Sequence, residues 1–187
     1  ERTPSMSQSN ERWVQHHMWK HLDGIREGVL PNRSNMAFRR IDLAVFTGPQ
    51  DPTEVYKRQP ECDIIGVEAK GQGVVQGDTA AIEQQLTDYL DSGALTRLYL
   101  AVPAEDKAEA LALLQDTKAG TQSRLDKIGL YTVDEAGTVE KVEEADQVTL
   151  RYDGIHTKEG YVTDIIWGYG GDWNQEKQYY SLFEMRS

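Results

Sequence analysis

The chain has 187 residues, 39% of them apolar, with 20 Lys+Arg against 31 Asp+Glu and a net charge of −11. That apolar share supports one core, or at most one and a half domains, while the acidity repels phosphate and excludes a simple polycationic coat for nucleic acid. The single Cys62 excludes an internal disulfide framework and suits a reducing, cytoplasmic interior; no apolar run nears the roughly 20 residues that span a bilayer, so no membrane partner is expected, and no leader points to secretion.

Residues 1–9 are polar and read as a flexible N-terminus. Residues 10–27 read as a helix closed near Gly28 and Pro31, with Val14, Met18, Leu22 and Ile25 at helical spacing and Glu11 at the head of that stripe. A strand is predicted over 37–46, preceded by a short one around 33–36. The stretch 48–60, with Pro49, Pro52 and Pro60, reads as a long hairpin loop over the site. Residues 62–70 form a second buried strand. Gly71, Gly73 and Gly77 make a flexible passage into a helix at 79–92, ended by Gly93. A strand at 97–102 and a helix at 105–117 follow, then a hairpin of 129–133 and 138–143 around Asp134–Gly137. These elements predict an α/β domain over 10–149, a mixed central sheet flanked by helices on both faces. From 150 to 187 the character changes. Eight of the sixteen aromatics fall there among five glycines, which reads as a β-rich aromatic extension packed on the core or on a second copy, a route to a homodimer.

Two acidic clusters stand 26 residues apart, Arg40-Ile41-Asp42-Leu43-Ala44-Val45-Phe46 and Ile64-Ile65-Gly66-Val67-Glu68-Ala69-Lys70. Both lie in short apolar runs. A buried carboxylate or ammonium costs several kcal/mol unless paired or holding a metal. Glu68 and Lys70, two apart on a strand, share a face of the sheet. With Asp42 on the neighbouring strand, two carboxylates and an amine converge, a set suited to a hard divalent cation and a phosphate or water.

Asp followed by Glu-x-Lys on paired strands resembles the PD-(D/E)XK nuclease superfamily, and Gln85-Leu86-Thr87-Asp88-Tyr89 on the next helix resembles the Gln-x-x-x-Tyr motif of its RecB-type branch. The resemblance covers roughly residues 10–133 and departs where Arg40-Ile41 stands in place of the proline many members carry before the Asp. It implies a restriction-endonuclease-like αβββαβ core and Mg²⁺- or Mn²⁺-dependent phosphodiester hydrolysis, with DNA favoured over RNA. Asp42 and Glu68, with the Ala69 carbonyl and Glu11, are the implied metal ligands. Lys70 is implied to act on the attacking water, Gln85 to position backbone or water, and Tyr89 to buttress it. Two other readings of the same residues are a non-cleaving nucleic-acid-binding member of the fold and an acidic protein-interaction module with a structural ion network.

Residues 1–70 hold ten basic and ten acidic side chains, so the acidic excess lies entirely after Lys70. Arg39 and Arg40, with Arg33, Lys57 and Arg58, are therefore expected to form a basic rim for nucleic acid. A second Glu-x-Lys, Glu105-Asp106-Lys107, follows Pro103 and opens an amphipathic run, so it reads as a solvated helix start. His17 and His21 lie four apart on the first helix. No neighbouring ligand completes a metal set, and they read as packing or surface residues.

Overall fold

The computed structural model describes residues 11–23, 29–31, 41–48, 52–115 and 124–155. Helix α1 (Glu11–Asp23) is followed by β1 (Val29–Pro31), β2 (Leu43–Phe46), α2 (Pro52–Lys57) and β3 (Ile64–Ala69). Then come α3 (Val74–Gly77), α4 (Thr79–Asp91), β4 (Arg97–Pro103), α5 (Lys107–Gln115), β5 (Gly129–Val133), β6 (Val139–Glu143) and the single turn α6 (Tyr152–Ile155). The six strands lie side by side in chain order. β1, β2 and β3 are antiparallel neighbours, β3, β4 and β5 run parallel, and β6 returns antiparallel. The mixed sheet flanked by helices is thus the predicted α/β class.

Strand alternation divides the core in two. Leu43, Val45, Val67, Tyr99 and Tyr131 face α1, which buries Val14, Met18 and Leu22 against them. Ala44, Ile64, Leu98, Leu100 and Leu130 face α4 and α5, meeting Ile82, Leu86, Tyr89, Leu90, Leu113 and Leu114. Gly66 lies between Ile64 and Glu68 on this second face. A Cβ there would come within 2.6 Å of Leu95 Cδ1, so the glycine lets the α4 layer close on the sheet. The hairpin of β5 and β6 turns at Gly137, whose φ of +83° only glycine adopts without strain.

Two sequence expectations are corrected. The 48–60 segment is not a loop over the site. It joins the C-terminal end of β2 to the N-terminal end of β3, the opposite end of the sheet from Asp42 and Glu68. It also contains α2, begun by Pro52, where a missing N–H costs nothing, and anchored by the fully buried Val55. A short strand, Val29–Pro31, precedes β2; the strand expected around 33–36 lies outside the described residues. Finally, the glycine passage after Lys70 contains the helical turn α3.

Past β6 the chain stays on the core. Leu150 and Ile155 are buried, Val148 N–H donates to Thr96 O (2.7 Å), and Arg151 Nη1 donates to Asp91 O (2.7 Å), satisfying a carbonyl at the end of α4. Residues 156–187, with Trp167, Trp173 and Phe183, lie outside the described residues. Among the described residues no helix is long and apolar enough to cross a membrane.

Candidate active site

β2 and β3 pair with Leu43 opposite Val67; one step further along the same register sets Asp42 opposite Glu68. Both carboxylates are buried on the α4 face, Asp42 at 5% exposure and Glu68 at 3%. Asp42 Oδ2 accepts the Ala69 N–H (2.8 Å), a bond that ties the end of β2 to the end of β3. The Lys70 N–H donates to Ala101 O (2.9 Å), so the β3–β4 ladder fixes the backbone that carries the lysine.

The Lys70 ammonium lies 3.2 Å from Glu68 Oε2 and donates to Gln85 Oε1 (2.7 Å). The Gln85 amide in turn donates to the Tyr89 hydroxyl (3.3 Å). Gln85 and Tyr89 share a face of α4 because they are four apart, with Tyr89 sunk into the core and Gln85 at its edge. The side chains of Glu68, Lys70, Gln85 and Tyr89 thus form one chain of contacts.

Glu11, in the first turn of α1, accepts from the Gln15 amide (3.1 Å) and is close enough to feel Lys70. Burial raises its pKa, and Lys70 opposes the rise. Burial likewise raises Asp42 well above the ordinary carboxylate range, with repulsion from Glu68 and Glu11 added. Burial pushes Glu68 up to about 7, Lys70 pulling against it and Glu11 reinforcing it. Burial and the nearby carboxylates raise the Tyr89 hydroxyl too. Lys70 is the cation that acts on all three acids. Moreover, Glu68 Oε1 is buried without a hydrogen-bond partner.

That donor set suits a magnesium-like ion. Two adjacent carboxylates, one with a free oxygen, match an ion that takes one or two carboxylates and keeps several waters. Among the described residues no group of three or more His, Cys, Asp or Glu side chains is placed to hold a metal by itself. The histidines of α1 do not join the site. His17 packs on the Gly137 turn and His21 edges onto Tyr131.

A groove of about 800 Å³ opens over Lys70, walled by Val74, Asp78, Gln85, Asp88 and Tyr89. Lys57 and Arg58 are exposed on and just after α2, at the far end of the sheet, and take no part in a rim around this groove. Arg33, Arg39 and Arg40 lie outside the described residues. The residue that local sequence reasoning misread is Asp106. Glu105 and Lys107 are exposed, but Asp106 is buried and accepts the Gly73 N–H through Oδ2 (2.9 Å). Its partner is 33 residues away, so no local pattern could have revealed it. Comparison with family models, with curated proteins and with solved structures finds no match.

Proposed function

We propose that the protein is a metal-dependent nuclease of the PD-(D/E)XK type that hydrolyses phosphodiester bonds, with DNA as its substrate. The observation that carries the reading is the cluster at the end of β3: among the described residues, three partly or fully buried carboxylates share one lysine, and Glu68 Oε1 has no hydrogen-bond partner. A structural ion network would be close to neutral and fully bonded, because each uncompensated buried charge costs several kcal/mol. With the short helices α2 and α3 set aside, the order α1, β1, β2, β3, α4, β4 also supports the αβββαβ reading.

Asp42 and Glu68 would hold Mg²⁺ or Mn²⁺, which when bound supplies charge neutralisation at the phosphate and acidifies a coordinated water. Lys70 is held by Glu68 and Gln85 with its ammonium at the floor of the groove. From there it orients the attacking water and stabilises negative charge developing on the phosphate oxygens. Gln85 limits the lysine to one rotamer and Tyr89 braces Gln85, so the amine is positioned before substrate arrives. Burial around Asp42 and Glu68 strengthens each of these electrostatic contacts.

The test is cleavage of end-labelled and circular DNA in Mg²⁺ and in Mn²⁺. Activity should vanish in excess chelator and in Asp42→Ala, Glu68→Ala and Lys70→Ala variants that retain native circular dichroism. Cleavage that survives in all three folded variants, or in chelator, would remove the assignment.

A further inference from the structure

Val74, in the segment that follows Lys70, lines the groove, and the composition of that segment makes it a poor wall. Gly71, Gly73 and Gly77 fall within seven residues, which gives the unfolded or loosened segment many accessible conformations. Gly73 has a φ of +75°, a conformation open to glycine, and a Cβ there would meet nothing within 4 Å. The glycine is thus required by backbone conformation and not by crowding. Local bonds alone hold little: Val74 N–H donates to Gly71 O (3.2 Å) and Gly77 N–H to Gly73 O (3.0 Å), closing the single turn of α3.

Val75 packs this turn into the core, and one long-range hydrogen bond among the described residues fixes its backbone to the body of the domain. Asp106, in the short 3₁₀ turn Ala104–Asp106 between β4 and α5, buries its carboxylate and accepts the Gly73 N–H at 2.9 Å. Because β3 and β4 run parallel, the connections that leave them emerge at the same edge of the sheet, and Asp106 ties one to the other. The neighbouring Lys70 does not depend on this tie. Its backbone is held by Ala101 and its ammonium by Glu68 and Gln85.

We infer that Asp106 is a positioning residue: it clamps the Gly71–Gly77 wall of the groove so that substrate meets a formed surface, while the reacting groups are held independently. The inference rests on the nuclease reading for its functional consequence. It predicts a split between binding and turnover. Asp106→Ala should raise KM for DNA about tenfold and leave kcat within about twofold, since a loosened wall costs binding and not the chemistry at Lys70. Asp106→Asn keeps an acceptor oxygen and should restore KM.

The experiment measures KM and kcat for wild type and the two Asp106 variants, together with hydrogen exchange at the Gly73 amide. That amide should lose protection in Asp106→Ala and regain it in Asp106→Asn. Gly73→Ala, which disfavours the positive φ without touching the buried carboxylate, gives the same KM increase and serves if Asp106→Ala does not fold. Loss of amide protection with KM unchanged would overturn the positioning role and leave the nuclease reading standing. An equal fall in kcat in all three variants would show a general structural defect and also overturn it. No cleavage by the wild-type protein in either metal would overturn the nuclease reading and the functional role of the clamp with it.

Discussion

Where β3 enters the sheet, Asp63 is answered on both carboxylate oxygens. Thr96 Oγ1 (2.7 Å) and the Gln147 amide (2.8 Å) donate to one, and Arg97 Nε (3.3 Å) donates to the other. Nearby, Tyr99 donates to Glu144, which also pairs with Lys141 (3.1 Å). Where β3 leaves the sheet, five residues later, Glu68 meets Asp42 across the strands with Lys70 as the cation they share and one oxygen left unbonded among the described residues. The same strand, in the same core, is satisfied at one end and unsatisfied at the other. Folded chains pair almost all their buried polar groups, and the exception at one end is where the proposed cation site lies.

The sharpest way to break this comparison is to truncate a carboxylate at each end. At the exit end, Asp42→Ala, Glu68→Ala or Lys70→Ala should reduce DNA cleavage by at least about 10³-fold, and Glu68→Ala should do so with no loss of thermal stability. At the entry end, Asp63→Ala should cost about 2–3 kcal/mol in denaturant unfolding, because it strands three donors, yet keep turnover per folded molecule. Equal destabilisation at both ends would erase the distinction.

A second measurement uses pH. The metal-free Glu68 carboxyl titrates near 7 in the folded chain against 4.5 for an ordinary glutamate. The unfolded state therefore releases its proton first, and the stability associated with Glu68 is lost as pH rises from about 4.5 to about 7. Glu68→Gln removes that loss and should make the metal-free protein more stable than wild type by about 2–4 kcal/mol at pH 8, with the gap closing toward pH 4. His16 acts in the opposite sense. Burial lowers its pKa from 6.5 to about 4, so its share of stability is lost as pH falls through that window. The difference between wild type and Glu68→Gln, measured across pH by thermal melting, isolates the carboxylate. A gap that does not change with pH would contradict the site electrostatics.

Smaller effects separate the supporting groups. Gln85→Ala frees the Lys70 ammonium and should lower kcat by about 10- to 100-fold. Tyr89→Phe removes the 3.3 Å bond from Gln85 and should cost less than about tenfold in the same assay. Smallest of all, Lys57→Glu and Arg58→Glu lie at the satisfied end and should leave the salt dependence of DNA binding unchanged, whereas Arg39→Glu or Arg40→Glu should flatten it by about one phosphate contact each.

Much of this site was legible because its signals are local. Asp42 and Glu68 sit in short apolar runs whose period-2 pattern sets face and neighbour, and Gln85 and Tyr89 are one helical turn apart. The register that opposes the two acids follows from the antiparallel pairing of β2 and β3. What was not legible depends on which end of the sheet a segment occupies. The proline-rich 48–60 stretch reads as a loop near the site by composition, but strand direction sends it to the opposite end. Asp106 reads as an ordinary acidic residue at a helix start, because its partner Gly73 is brought to it only by the parallel packing of β3 and β4. The unbonded Glu68 oxygen, likewise, is a property of three-dimensional packing that no spacing encodes.

The central claim is that the unsatisfied end of β3 is a cation site, and binding of Mn²⁺ to the protein, followed by electron paramagnetic resonance and calorimetry, tests it most directly. The account predicts that Mn²⁺ binds, that Mg²⁺ displaces it, and that binding is lost in Asp42→Asn and in Glu68→Gln but kept in Asp63→Asn. Binding that is absent at millimolar Mn²⁺, or that persists undiminished in both site variants, would contradict it.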